Sequence, residues 1–178
     1  MSALHQPSTR ARRIRLRPLA ASDQVEFLRR ARASRALHAA WVTPTTTPAA
    51  FALLLERMAR PNCRGFVVEL RATGELAGFI AISEIVMGIF RSGYLGYYAF
   101  AGFERRGLMR EALAAVTRIA FGELKLHRLE ANIQPANRAS IALVRSCGFR
   151  KEGYSPRYLK IRGRWRDHER WAILADAR

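Results

Sequence analysis

Cysteine, acidic residues and long apolar runs are all scarce in this 178-residue chain. The two cysteines, Cys63 and Cys147, have no neighbours at metal-binding or redox spacing. That excludes a disulfide framework and a zinc motif, and predicts two free thiols in a reducing compartment. Neither cysteine has a histidine base beside it in sequence, and Cys147 falls near a helix end without the help of a positive dipole, so nothing local supports a covalent thiol mechanism. No stretch approaches the roughly 20 apolar residues of a membrane span. The basic start has no apolar run behind it of the kind a secretory leader carries. The expectation is a cytoplasmic protein with no membrane partner. No internal repeat and no metal-ligand pattern appears.

Against 14 Asp and Glu stand 31 Lys and Arg, a formal net charge of +17. The excess is almost entirely Arg. Such a field draws in polyanions, whether nucleic acid, an acidic protein face or a phosphorylated cofactor, and a plainly solvated surface is the other reading. No sequence-reading nucleic-acid module is present. With 49% hydrophobic residues the chain is not a disordered tail, and its length suits one domain with a full core. Residues 1–13 mix Ser, Pro, Thr and Arg and read as a flexible basic arm; residues 14–178 read as the single domain.

Apolar periodicity predicts the order of elements. Ile14 to Leu19 alternates apolar and basic residues and reads as an edge strand. Ser22 or Asp23 can cap the helix that follows. Thr47 caps a second helix with Pro48 in its first position. Phe66–Leu70 and Leu76–Ile82 form a hairpin around Gly74. Ile85–Phe90 is ambiguous, with a bend at Gly88. Tyr94–Phe100 is an aromatic strand, Leu108–Phe121 a helix with one apolar side, and Arg128–Ile133 a strand. Asn137 opens a short helix ending at Gly148. Strands follow at Tyr158–Ile161 and Trp171–Leu174. The fold class is α+β, a mixed and mostly antiparallel sheet with helices on both faces.

The segment Glu104-Arg105-Arg106-Gly107-Leu108-Met109-Arg110 joins a strand to a helix through a tight turn. Free amides at a helix start can cradle a diphosphate, Gly107 lets the backbone approach a ligand, and Arg105, Arg106 and Arg110 can add charge-assisted contacts. On residues alone an ordinary turn is the competing reading. The segment resembles the acetyl-CoA pyrophosphate loop of the GNAT acetyltransferases. Gly107 matches that pattern, and Gly-Leu-Met before Glu-Ala suits one branch of it. Glu104 departs from it, standing where Gln or Arg is usual, and Arg105 replaces a frequent small residue.

A second set of motifs is more specific: His127-Arg128-Leu129-Glu130-Ala131-Asn132-Ile133, Asn137-Arg138-Ala139-Ser140, Cys147-Gly148-Phe149, Glu152-Gly153-Tyr154, Tyr158-Leu159-Lys160-Ile161 and Trp165-Arg166-Asp167-His168. Together they resemble the C-terminal half of the bacterial ribosomal-protein-alanine N-acetyltransferases, and the likeness runs from about Gly65 to Leu174. The resemblance implies a GNAT fold and acetyl-CoA as co-substrate. It implies an amine acceptor, foremost the N-terminal alanine of a ribosomal protein, and with it the positive charge could serve electrostatic association with the ribosome or RNA. A small-molecule amine, or an acetyl-CoA-binding regulatory role with little catalysis, are the alternatives. It also implies that the strands at Tyr94–Phe100 and Arg128–Ile133 splay to admit the pantetheine arm. Tyr97, Tyr98 and Ala99, the loop from Arg105 through Arg110 including Leu108 and Met109, and Asn137 and Ser140 would then hold the cofactor. For Asn137 a purely structural cap is the competing reading.

Direct transfer requires an amine held beside the thioester, loss of an amine proton, and stabilisation of the oxyanion and the departing thiolate. An α-amine has a reference pKa of roughly 7.7–8, so no strong base is demanded near pH 7.5. The candidate carboxylates are Glu84, read alternatively as a solvated strand end, and Glu130, read alternatively as an arginine partner. His127 could serve by its pKa, but a strand start favours exposure. Many GNAT enzymes protonate the sulfur with a Tyr on the helix after the Asn motif. Val144 falls in that region and cannot, which leaves Ser140 or Tyr98.

Overall fold

The computed structural model describes residues 12–176. The basic arm expected over residues 1–13 thus lies outside the described residues, except for its last two members. Of these, Arg13 accepts a backbone hydrogen bond from Arg71 (2.9 Å) and donates from its side chain to the Arg106 carbonyl (2.9 Å).

Alternating apolar residues build a seven-stranded sheet in the order β1-β2-β3-β4-β5-β7-β6. The strands are β1 (Ile14–Pro18), β2 (Arg64–Leu70), β3 (Leu76–Val86), β4 (Ser92–Ala99), β5 (Arg128–Ile133), β6 (Arg150–Ile161) and β7 (Arg164–Leu174). Every neighbouring pair is antiparallel except β4 with β5. The helices are α1 (Gln24–Ala33), α2 (Arg35–His38), α3 (Pro48–Met58), α4 (Leu108–Arg118) and α5 (Arg138–Ser146).

Period-two alternation sorts the side chains onto two faces. On one face Phe79 meets Phe27 of α1 with ring centroids 5.7 Å apart, and Phe27 meets Phe51 of α3 at 5.3 Å. A Cβ at Gly65 would strike Met58 of α3 at 2.5 Å, so β2 and α3 are in contact through that glycine. On the other face a Cβ at Gly78 would lie 2.9 Å from the Met109 sulfur of α4. Helices thus cover both faces, and the aromatic edge-to-face contacts add to the area buried.

Local sequence explains the helix starts. The Thr47 side chain accepts from the Ala50 amide (3.2 Å) with Pro48 in the first turn, and Asn137 accepts from the Ser140 amide (3.1 Å). The expected cap at Ser22 or Asp23 does not form. A 3₁₀ turn spans Ala21–Asp23 ahead of α1, and the Asp23 carboxylate turns back to the Ala20 amide (2.9 Å) and the Arg17 guanidinium (2.6 and 2.9 Å). Arg17 also reaches Glu69 at 2.6 Å, and Arg15 meets Glu69 at 2.5 Å. Two buried carboxylates therefore claim the arginines of β1.

Three boundaries differ from the sequence reading. The helix expected over Leu108–Phe121 ends as an α-helix at Arg118. It continues as one π-helical turn, Ile119–Glu123, in which the Leu124 amide bonds back to the Ile119 carbonyl (3.0 Å). The strands read at Tyr158–Ile161 and Trp171–Leu174 are the ends of a long hairpin. Trp165 is 59% exposed on that hairpin, while Phe149 is buried.

Candidate active site

The parallel pairing of β4 with β5 covers only Ser92–Tyr94 against Arg128–Glu130. Beyond it the strands part and open a cleft of about 880 Å³. Leu95 to Ala99 form one wall and Ala131 to Ile133 the other. Because the gap lies within the sheet, it connects the two faces. Odd-numbered residues of β4 point toward α4 and α5, and even-numbered ones toward α1 and α3.

On the α4 side, Gly107 caps the helix with φ of +76°, a left-handed conformation that L side chains adopt at a cost. The first amide to bond back along the helix is that of Glu111, to the Gly107 carbonyl (3.2 Å). The amides of Leu108, Met109 and Arg110 precede it and are unpaired by helix geometry, with the positive end of the helix dipole behind them. Arg13 and Glu111 brace the loop from behind: Glu111 accepts from the Ile14 amide (3.2 Å) and pairs with Arg13. The loop thus presents unpaired amides of a helix start to the cleft.

Further in, the Tyr97 hydroxyl of β4 stands 2.6 Å from the Ser140 hydroxyl at the start of α5. Burial pushes the Tyr97 phenol well above its usual range, so it stays protonated. Both residues line the cleft. Val144, one turn further along α5, is fully buried in the core.

The opposite mouth holds His38, which the sequence reading did not name, beside Asn132 and His168, which it quoted within motifs, and Tyr98. His38 of α2 lines the cleft, its Nε2 bonded to the Ala99 carbonyl at 2.8 Å. A carbonyl only accepts, so Nε2 carries the proton and Nδ1 is left as an acceptor; that atom is buried without a partner among the described residues. Burial lowers the His38 pKa and keeps the ring neutral at pH 7. The Asn132 side-chain oxygen, on the facing strand, is likewise buried and unpaired. His168 of β7 is buried at the same cleft, its pKa also lowered by burial. Tyr98 packs against His38 with centroids 4.8 Å apart, and burial raises its phenol pKa.

Of the residues singled out from sequence, Tyr97, Tyr98, Ala99, Arg105, Gly107, Leu108, Met109, Arg110, Asn137 and Ser140 all line this cleft. Three do not. Arg106 turns outward over the Phe103 ring (5.6 Å). Glu84 sits exposed at a β-bulge with φ of +49°, where the register of β3 breaks, and it faces solvent away from the gap. Glu130 is held by Arg128 (2.9 Å), the ion pair named as its alternative, and stands outside the cleft lining. His127 is exposed. Burial raises the Cys147 thiol pKa, the opposite of what a nucleophile needs.

His38 escaped the sequence reading because α2 is a four-residue helix without a periodic signal. His168 was named only within its motif, with a part in the substrate groove as one reading, and it was left outside the strand because that strand was started at Trp171. Extending the alternation back through Arg170 would have placed His168 and Asn132 on one face.

A splayed parallel strand pair beside a glycine-capped helix defines the GNAT class of acyl-transfer fold. Residues 13–150 match the family model described as Acetyltransferase (GNAT) domain, and the chain belongs to that family. It is 34% identical over 119 residues to the Probable N-acetyltransferase YjcK of Bacillus subtilis, covering 67% of this chain and 66% of that one. It is 43% identical over 94 residues to the [Ribosomal protein uS5]-alanine N-acetyltransferase of Escherichia coli, covering 53% and 48%. The chain thus spans about half to two thirds of the length of these curated relatives. The structure of Mycobacterium smegmatis RimJ in complex with CoA-disulfide superposes with a TM-score of 0.84 at 30% identity, over 92% of this chain and 82% of that one.

Proposed function

We propose that the protein transfers an acetyl group from acetyl-CoA to a primary amine. The observation that carries this reading is the through-sheet cleft, with an anion cradle at one mouth and unpaired acceptors at the other. The diphosphate of CoA is bound by the amides of Leu108, Met109 and Arg110, with Arg105 and Arg110 adding charge. The pantetheine arm lies between β4 and β5. A backbone amide near Tyr97 or Tyr98 donates to the thioester oxygen as negative charge builds there.

The amine enters from the opposite mouth. It passes His38, Asn132 and His168, which line the cleft there. The neutral amine attacks the thioester carbon, the C–S bond breaks, and Ser140 passes a proton to the departing sulfur with Tyr97 resupplying it. The amine's own proton leaves to water or to a neutral histidine. No lone strong base is required, because an α-amine has a reference pKa of about 7.7–8.

The favoured acceptor is the N-terminal alanine of a ribosomal protein, in the cytoplasm. The second set of motifs and the 43% identity to the uS5-alanine enzyme support that choice. Mass spectrometry of alanine-starting peptides, intact ribosomes and small amines, each incubated with protein and acetyl-CoA, tests it. The expected result is one added acetyl on an alanine N-terminus. Labelling of small amines alone would contradict the alanine assignment while leaving acetyl transfer intact.

A further inference from the structure

A second groove, of about 490 Å³, adjoins the acceptor mouth and shares Trp41 and Gln134 with the main cleft. Its charged lining consists of Arg162, Arg164 and Arg166, with no carboxylate among the lining residues. All three arginines are exposed. Arg162 donates to the Ala39 carbonyl (2.8 Å), which fixes the turn of the hairpin against the segment after α2. Gln134 donates to the Ala40 and Trp41 carbonyls (both 3.3 Å) and joins that segment to the end of β5.

Strand alternation makes the two openings continuous. Arg164, Arg166 and His168 are alternate residues of β7 and share a face, running from the groove to the cleft. The carboxylates of the same strand lie on the other face and are already engaged. Asp167 accepts from the Tyr154 hydroxyl and from the Arg157 amide (2.8 Å), while Glu169 pairs with Lys151 (2.5 Å). Among the described residues, Arg164 and Arg166 have no acidic partner. The strand thus presents its cations toward the acceptor path and neutralises its anions on the opposite side.

We propose that this groove binds the stretch of acceptor polypeptide just beyond the acetylated amine, and that it selects acidic side chains there. The inference rests on the acetyltransferase reading above and names its substrate class. An extended chain advances about 3.3 Å per residue, and Arg166 and Arg164 lie two and four residues from His168. An amine seated near His168 therefore carries its third to fifth residues past the arginines. Carboxylates at those positions pair with the guanidinium forks, whereas a polycationic amine meets like charge and is rejected. The groove thereby separates acidic N-termini from polyamines, which a bare amine pocket does not.

The test uses three eight-residue peptides that all start with alanine and carry Asp/Glu, Ser/Gln or Lys at positions three to five. Alaninamide, which is too short to reach the groove, serves as control. CoA release gives kcat/KM for each, with the wild-type protein and with Arg164→Glu/Arg166→Glu. The acidic peptide is expected to exceed the lysine peptide about tenfold, with the gap shrinking as salt rises. The double variant reverses the order and leaves alaninamide turnover and thermal stability unchanged. Equal rates for acidic and lysine peptides, with alaninamide still acetylated, overturn the groove assignment and spare the enzyme assignment. No turnover of any amine overturns both. A single-stranded RNA 12-mer is titrated in parallel. If it binds and the double variant abolishes that binding while peptide preference is absent, the groove serves RNA and the proposal fails.

Discussion

The Tyr97 and Ser140 hydroxyls, 2.6 Å apart, join β4 to the first turn of α5 across the floor of the cleft. In the proposed mechanism they stand in for the tyrosine on α5 of other GNAT enzymes, where this chain has the buried Val144. Ser140→Ala is expected to lower kcat about 100-fold while KM for acetyl-CoA changes less than threefold. Tyr97→Phe should cost less alone and add little to Ser140→Ala, because paired groups acting as a unit are not additive. Full and additive losses in the double variant would separate the two residues.

Gly107 tests the anion cradle. A side chain at φ of +76° costs about 1–2 kcal/mol, and a Cβ there would lie 3.2 Å from an Arg13 nitrogen. Gly107→Val should therefore raise KM for acetyl-CoA at least about tenfold, with a smaller effect on kcat at saturation. An unchanged KM would mean that the cofactor phosphates bind elsewhere.

The arginines of β1 control acid stability. Hydrogen bonding from Arg17, and then from Arg15, lowers the Glu69 pKa below its ordinary value of 4.5. The folded state therefore holds the ionised form more firmly than the unfolded chain does. This stabilisation is complete above about pH 4.5 and is lost as pH falls through the depressed value. Glu69→Gln should destabilise the protein by about 2 kcal/mol at pH 7, a figure reduced because Arg15 is half exposed. Urea denaturation at pH 7 and at pH 3 should show that difference shrinking at the lower pH.

The core of the site was readable from sequence wherever periodicity and local chemistry agreed. Gly107 before an amphipathic run, the Asn137 cap, and the alternating aromatics of β4 all lie where expected. Long-range geometry was not readable. Asp23 has the composition of a helix cap, yet Arg17 and the Ala20 amide claim it across a turn. Glu84 looked like a strand-end acid aimed at the cleft, but a bulge turns it to solvent. The hairpin of β6 and β7 carries polar residues on both faces, so no apolar alternation announced it. With residues 164–170 left out of the strand read at Trp171–Leu174, the route from His168 to the arginines went unseen.

Amide hydrogen exchange with and without acetyl-CoA tests the central claim most directly, since it reports where the cofactor sits without relying on any substrate. Added acetyl-CoA should slow exchange at residues 95–99 of β4 and 108–110 of α4, and leave the β6–β7 hairpin unchanged. Protection confined to other segments, or none at saturating acetyl-CoA, would contradict a cofactor threaded between β4 and β5.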